Sequence, residues 1–181
     1  KGHTTSDTFL ADYKNVSDLE MVYKQLWTNP RCGVESIEVR DGKASLTMKQ
    51  PGWTSCRNKG GTATTTPWYY ENAYELLDAE GEWYLDRTGA VGGEAYTFYY
   101  KPRTGEDMRE AAVTVPELEE LVTVKGSDLD HPVGDIRFQN IGFTYATWNH
   151  PSTDAGHADA QNNVLREDYD PDNPAYTMSD Y

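Results

Sequence analysis

The sequence predicts an all-β fold in two parts: an irregular β-rich lobe over residues 1–110, then the first coils of a parallel β-helix over residues 111–181. Two observations support the fold class. Short segments of alternating hydrophobicity are separated by Gly and Pro turns, as in sandwiches, barrels and solenoids. The segment DIRFQNIGFTYA also carries the paired short strands of a solenoid coil.

The first lobe contains one well-defined hairpin. Residues 34–40 alternate as a half-buried strand, Asp41-Gly42 forms a two-residue turn, and residues 44–48 make the return strand. Residues 17–27 are ambiguous, because Ser17 and Glu20 have the spacing of a helix capping box while the apolar residues alternate. We interpret them as a strand. Residues 54–67 have no hydrophobic period and are expected to form a loop.

One short helix is predicted at about residues 70–78. Tyr70, Ala73, Leu76 and Leu77 would share one helical face, and Gly81 would end the helix. On this helix Glu71, Glu75 and Asp78 would share a flank, which is more typical of a solvated face than of a catalytic pair. The segments that follow, such as EWYLDRTG and EAYTFYYKPRTG, are expected to be short strands.

The β-helix prediction depends on residues 136–143. Ile136, Phe138, Ile141 and Phe143 form two short apolar strands, with Asn140 at the bend between them. Such an Asn can bond backbone groups at a solenoid corner. A solenoid needs about three repeats to bury its core. The sequence shows about one, so either most of the fold is different or the stack continues beyond this chain.

The composition limits the classes of partner. The net charge of −14, from 30 acidic and 16 basic residues, disfavours nucleic acid and anionic membrane surfaces. The sequence contains no long apolar run that could span a bilayer. Thirteen Tyr and five Trp against four Phe suit sugar rings, because these side chains combine a flat apolar face with a polar group. Strand-rich proteins are also rich in Tyr for structural reasons.

Two cysteines, Cys32 and Cys56, leave their redox state open. In an exported protein they would pair and stabilise the fold by roughly 3 kcal/mol. In a cytosolic protein they would be buried thiols. The sequence has no phosphate-binding loop, CxxC motif or nucleophilic triad pattern.

The stretch after Thr147 concentrates polar groups that suit a sugar ligand. A sugar ring could stack on an indole there, and the polar side chains could bond its hydroxyls; the candidates are Trp148, His150, Asp154, His157, Asp159 and Gln161. A capping loop whose side chains bond their own backbone explains the same residues. Zinc is a weaker alternative, because the spacing of the two histidines fits no helical motif and Pro151 interrupts a helix.

A calcium loop is the other metal hypothesis. Asp168, Asp170 and Asp172 alternate as hard oxygen ligands can. An EF-hand is rejected because Asn173 and Ser179 stand where that motif needs Gly and Glu. An acidic surface turn is the plainer interpretation. No organic cofactor is expected.

Several longer segments together resemble bacterial right-handed parallel β-helix glycoside hydrolases, the group that includes fucosidases and xylanases. They are DLEMVYKQLWTNPRCGVESI, YYENAYELLDAEGEWYLDRTG, YYKPRTGEDMREAAVTVPELEELV and DIRFQNIGFTYATWNHPS, in consistent order between residues 18 and 161. The resemblance implies an extracellular or periplasmic enzyme acting on an oligo- or polysaccharide. It also implies that the remainder of a larger β-helix enzyme carries the main catalytic carboxylates.

Two other functions stay open. The chain could be a non-catalytic carbohydrate-binding or structural β module, with aromatic side chains binding glycan. It could also belong to a polysaccharide lyase, which needs a base and usually Ca²⁺ to neutralise uronates. The acidic composition counts modestly against uronate substrates.

Overall fold

The chain is described by a computed structural model that covers residues 2–24, 29–50, 52–58 and 66–147, and two short strands near the C-terminus. The described part is all-β, with one short α-helix and a few 3₁₀ turns. It divides into two units: Lys1–Met108 with His150–Tyr181, and Arg109–Asn149.

The first unit is built on a five-stranded antiparallel sheet. The strands lie in the order β1-β4-β3-β2-β5. They are β1 (Gly2–Thr5), β2 (Glu20–Val22), β3 (Arg31–Arg40), β4 (Lys43–Met48) and β5 (Tyr69–Glu71). The predicted strand in residues 17–27 is therefore confirmed over its central three residues, after a 3₁₀ turn at Val16–Asp18.

The predicted hairpin is confirmed as β3–β4. Asp41 and Gly42 have φ values of 50° and 71°, as a tight turn between twisted strands requires. Arg40 pairs with Lys43 on either side of the turn. The return strand alternates as expected, since Ala44, Leu46 and Met48 are buried and the residues between them are exposed.

The helix predicted at 70–78 is wrong. Tyr69–Glu71 forms β5, Asn72 turns the chain with a φ of 60°, and Tyr74–Leu76 is a 3₁₀ turn. Pairing with the edge of β2 supplies backbone hydrogen bonds that override the local helical period.

The α-helix, α1, lies instead at Gly52–Asn58 and overlaps the first part of residues 54–67, which were expected to form a loop. Its sequence is mostly polar, so it shows no apolar period. Trp53 and Cys56 are nevertheless one turn apart, and both are buried in the core.

The core of the first unit lies against one face of the five-stranded sheet. His3 stacks on Trp53 with ring centroids 5.2 Å apart, and Tyr23 packs against Trp53 at 5.6 Å. Burial raises the pKa of the Tyr23 hydroxyl. Around these rings lie the buried residues Leu10, Leu19, Met21, Cys32, Val34, Ala44, Leu46, Met48, Cys56 and Ala73.

A second, two-stranded sheet pairs β6 (Trp83–Asp86) with β7 (Thr97–Tyr100), in the two segments expected to be strands. Asp86 is buried and closes the loop that follows β6. Its carboxylate accepts hydrogen bonds from the backbone N–H groups of Thr88, Gly89, Ala90 and Val91 at 2.8–3.2 Å. Burial alone would raise the pKa of Asp86, but these N–H donors outweigh it and lower the pKa, so the residue acts as an ionised loop cap.

The second unit has no buried residue among those described, residues 109–147. Its only pairing there is an isolated bridge between Asp128 and His131. The four apolar side chains expected to fill a β-helix, Ile136, Phe138, Ile141 and Phe143, are exposed. Other apolar side chains of this unit are exposed too, and they include Val113, Val115, Leu118, Leu121 and Val124.

The parallel coils expected over residues 111–181 are not seen in the described residues, where every strand pair is antiparallel. A solenoid coil forms its ladder with the coils above and below it, and a single coil has no such neighbour. Asn140 does lie at a bend, with a φ of 59°. The short strands β8 (Ala158–Asp159) and β9 (Val164–Leu165) pair with each other.

Among the described residues, no helix has the length and hydropathy needed to cross a bilayer.

The two cysteines lie side by side in the core, on β3 and α1, and both are in the thiol form. A hydrogen bond between the thiols is the main cause that raises the pKa of Cys32, and burial adds to it. The structure therefore brings together the residues that would pair in an exported protein, and the disulfide stays a prediction.

We expect exposure to a disulfide oxidant such as oxidised glutathione to link Cys32 and Cys56. The link should raise the free energy of unfolding by about 3 kcal/mol, because it closes a loop of the unfolded chain. Urea unfolding of the oxidised protein with and without a thiol reductant measures the difference. Cys56→Ala is the control and should not respond to the reductant. The prediction would be contradicted if the oxidised native protein had the same urea unfolding midpoint with and without the reductant.

Candidate functional site

Three charged side chains meet on the face of the sheet opposite the core. Glu20 on β2 is directly opposite Glu71 on β5, and Val22 on β2 is directly opposite Arg31 on β3. These residues share one sheet face because side chains alternate along each strand. Arg31 Nε donates a hydrogen bond to Glu71 Oε1, so this ion pair spans strand β2, which lies between β3 and β5. We call Glu20, Arg31 and Glu71 the charged cluster.

Lys49 contributes a further cation beside the charged cluster. Gly33 on β3 is opposite Glu20, and a Cβ at this position would lie 2.9 Å from Lys49 Cδ. The lysine stem therefore occupies the space left by the absent side chain. Its Nζ donates to the carbonyl oxygen of Ser17, which fixes the chain across this face.

The two carboxyl groups of the cluster have different surroundings. Burial raises the pKa of Glu20, and the negative charge of Glu71 raises it further, while Arg31, Lys49 and Arg87 offset part of the rise. Glu71 instead accepts a charge-assisted hydrogen bond from Arg31. A carboxyl group with a raised pKa beside a second carboxyl group is a feature that acid–base sites also use. The same contacts also clamp β5 to the hairpin through β2.

Two other acidic residues of the segment 71–86, Glu75 and Glu82, bond backbone N–H groups. Glu75 accepts a hydrogen bond from the backbone N–H of Lys14 at 3.0 Å. Glu82 accepts from the N–H groups of Asp78 and Ala79 at 2.8 and 2.7 Å. Because the predicted helix is absent, Glu71 and Glu75 do not share a helical flank, and their roles are set by tertiary contacts.

The site residues predicted from the loop after Thr147 cannot be placed. Trp148, His150, Asp154, His157 and Gln161 lie outside the described residues, as do Asp168, Asp170 and Asp172. Asp159 belongs to β8, and its side chain is not described. The sugar, zinc and calcium interpretations of these residues stay predictions. Within the described ranges, no group of three or more His, Cys, Asp or Glu side chains is arranged to hold a metal ion.

The family follows from the residues that build these sheets. Residues 4–103 match a family model described as the GH141 insertion domain. The chain belongs to this family. A solved structure named glycoside hydrolase is 36% identical, with a TM-score of 0.60, over 78% of this chain and 23% of its own length. The chain thus spans about a quarter of that protein. No curated protein matches it significantly.

The match assigns the insertion domain to the first unit. It includes β2 to β7 and the second half of β1, and it ends before residue 109, where the second unit begins. The resemblance to glycoside hydrolases is therefore confirmed at the level of a glycoside hydrolase part. The charged cluster lies within the insertion domain.

We expect Glu20→Gln to raise the free energy of unfolding at neutral pH by about 0.5–1 kcal/mol, because it removes a like charge opposite Glu71. The raised pKa of Glu20 means that the folded state holds its proton more tightly than the unfolded chain. Its contribution to stability is therefore present at low pH and lost as pH rises above the usual Glu value of about 4.3. Urea unfolding between about pH 4 and pH 8 should show a flatter profile for the variant.

Two further variants separate the charged cluster from a general effect of removing carboxylates. Glu71→Gln removes the ion pair with Arg31 and should lower stability by up to about 1 kcal/mol, the range for a partly exposed pair. Glu35→Gln, at an exposed position of β3, should stay within about 0.5 kcal/mol of the native protein. A loss of stability in Glu20→Gln at neutral pH would refute the assignment.

Proposed function

We propose that this chain is the insertion domain and the start of the catalytic body of an extracellular glycoside hydrolase that acts on plant or microbial polysaccharide. The observation that carries the proposal is the match of residues 4–103 to the GH141 insertion domain. The similar solved structure, a glycoside hydrolase, is more than four times longer than the matched region. This supports the proposal that the chain is one part of a larger enzyme.

The exposed apolar residues of the second unit support a β-helical body. Ile136 and Phe138, and likewise Ile141 and Phe143, are two residues apart and flank the bend at Asn140. In a right-handed parallel β-helix such residues point into the stack and are covered by the next coil. Exposed apolar side chains in this number are typical of a segment that another part of a protein covers.

We infer that the main catalytic carboxylates lie outside this chain. Glycosidases need two carboxyl groups that can exchange protons or attack a sugar. Glu71 is held by Arg31, and Glu20 is opposite Glu71 on one side and Gly33 on the other, so the charged cluster is better suited to holding strands together. In this proposal the loop from Trp148 to Gln161 contacts substrate, and Asp168, Asp170 and Asp172 are a weaker candidate for Ca²⁺.

Two alternatives make different chemical predictions. If the chain belongs to a non-catalytic carbohydrate-binding or structural module, neither the isolated chain nor the native polypeptide would hydrolyse a glycan, although either could bind one. A polysaccharide lyase would act on uronates and produce an unsaturated product that absorbs in the ultraviolet. The net charge of −14 disfavours an anionic substrate.

Turnover of a panel of aryl glycosides tests the proposal. We expect the native polypeptide, with all sequence that flanks this chain, to hydrolyse at least one neutral glycoside. The isolated 181-residue chain should be inactive, because it lacks the main carboxylates. Turnover by the isolated chain would contradict the placement of the catalytic pair. An unsaturated product from polygalacturonate would favour the lyase.

A further inference from the structure

The two-stranded sheet has one face inside the insertion domain and one face outside. Tyr84 and Asp86 are buried, whereas Trp83 and Phe98 on the opposite face are 62% and 41% exposed. The inner face is fixed by a hydrogen bond from the Tyr84 hydroxyl to Asp18 Oδ2 at 2.8 Å. Because β-strand side chains alternate, that contact holds the two aromatic side chains of the other face at the surface.

The exposed rings form an ordered pair. Trp83 is opposite Tyr100 in the register, so Phe98 is its diagonal neighbour across the strands. The indole and phenyl rings stack with centroids 5.4 Å apart and an interplanar angle of 19°. Phe98 thus supports one side of the indole. We call Trp83 and Phe98 the aromatic platform.

A polar rim adjoins the aromatic platform at Tyr100. The Tyr100 hydroxyl donates to Glu106 Oε2 at 2.6 Å, and Arg103 Nη1 donates to the same hydroxyl at 3.1 Å. A Cβ at Gly81 would lie 2.7 Å from the Arg103 guanidinium, which shows how closely this side chain packs on the backbone. The Arg103 side chain is 62% exposed and that of Glu106 is 37% exposed, and the two balance each other's charge. The rim can therefore donate hydrogen bonds to hydroxyl groups and accept them.

We propose that the aromatic platform and its rim bind a neutral sugar unit of a polysaccharide. An indole face suits the C–H face of a sugar ring, while adjoining charged groups bond its hydroxyls. The balanced rim and the net charge of −14 favour an uncharged ligand over a uronate. The inference rests on the proposed function and adds a binding site in the insertion domain.

The size of the platform disfavours a protein partner. Two aromatic side chains with these exposed fractions offer on the order of 200 Å². A stable protein–protein interface buries about 1,000 Å² or more. One sugar unit is closer in size to the ring surface that is available.

The chain provides a matched control. Trp68 is 60% exposed, close to Trp83, and it also lies beside another aromatic residue, Tyr69. Its ring differs in what lies over it, because Lys24 Nζ is 5.0 Å from the ring centroid, whereas Trp83 is stacked on Phe98. Trp68→Ala removes a similarly exposed indole that is not part of the aromatic platform or its polar rim.

Retention on insoluble neutral polysaccharides, namely xylan, mannan and β-glucan, tests the inference in the native polypeptide. Trp83→Ala should weaken retention on the bound polymer by about tenfold, equivalent to about 1.4 kcal/mol. Trp68→Ala should leave it unchanged, and Arg103→Ala should produce a smaller loss. Circular dichroism and the unfolding midpoint establish that each variant is folded. Polygalacturonate should be retained less than the neutral polymers.

Several results would overturn the inference. One is a native protein that none of the neutral polymers retains, and another is equal retention of Trp83→Ala and the native protein. A third is a Trp83→Ala variant that loses self-association in sedimentation and keeps its polymer binding, which would make the platform an interface between copies. Because retention is measured without turnover, a failure to hydrolyse aryl glycosides counts against the proposed function separately.

Discussion

The insertion domain depends on β2, a strand of only three residues that pairs on both sides. Its backbone joins the β3–β4 hairpin to β5, although about fifty residues separate β2 from β5. Met21 is buried in the core on one face, and the Arg31–Glu71 ion pair crosses the strand on the other. A strand this short has little stability of its own, so non-local contacts maintain the sheet.

The sequence was sufficient wherever local chemistry determined the structure. Asp41-Gly42 adopts the positive φ values that a tight hairpin demands, and the alternation of Ala44 and Leu46 matches their burial. It was insufficient where distant pairing decided the outcome. Residues 70–78 have a helical period, yet Tyr70 pairs with Met21 on β2 and the segment becomes a strand and a turn.

The candidate sites follow the same division. The charged cluster contains Glu20, Arg31 and Glu71, which are far apart in sequence and meet only through strand pairing. No local sequence motif predicts the charged cluster. The abundance of Trp and Tyr did indicate sugar contact as one function, but composition cannot distinguish Trp83, whose ring is stacked and open, from Trp68, whose ring faces Lys24. That distinction requires the register of β6 and β7.

Asp86 marks a position with a consequence for biosynthesis. Every buried residue that the structure describes lies at or before Asp86, and β7 completes the second sheet by Tyr100. Chains emerge from the ribosome N-terminus first at about 5–20 residues per second, slowly compared with the folding of a small domain. The insertion domain can therefore close its core before the exposed apolar segment that follows is synthesised. The apolar residues of the insertion domain would then already be buried in its core when the following apolar segment leaves the ribosome, and the two could not associate incorrectly.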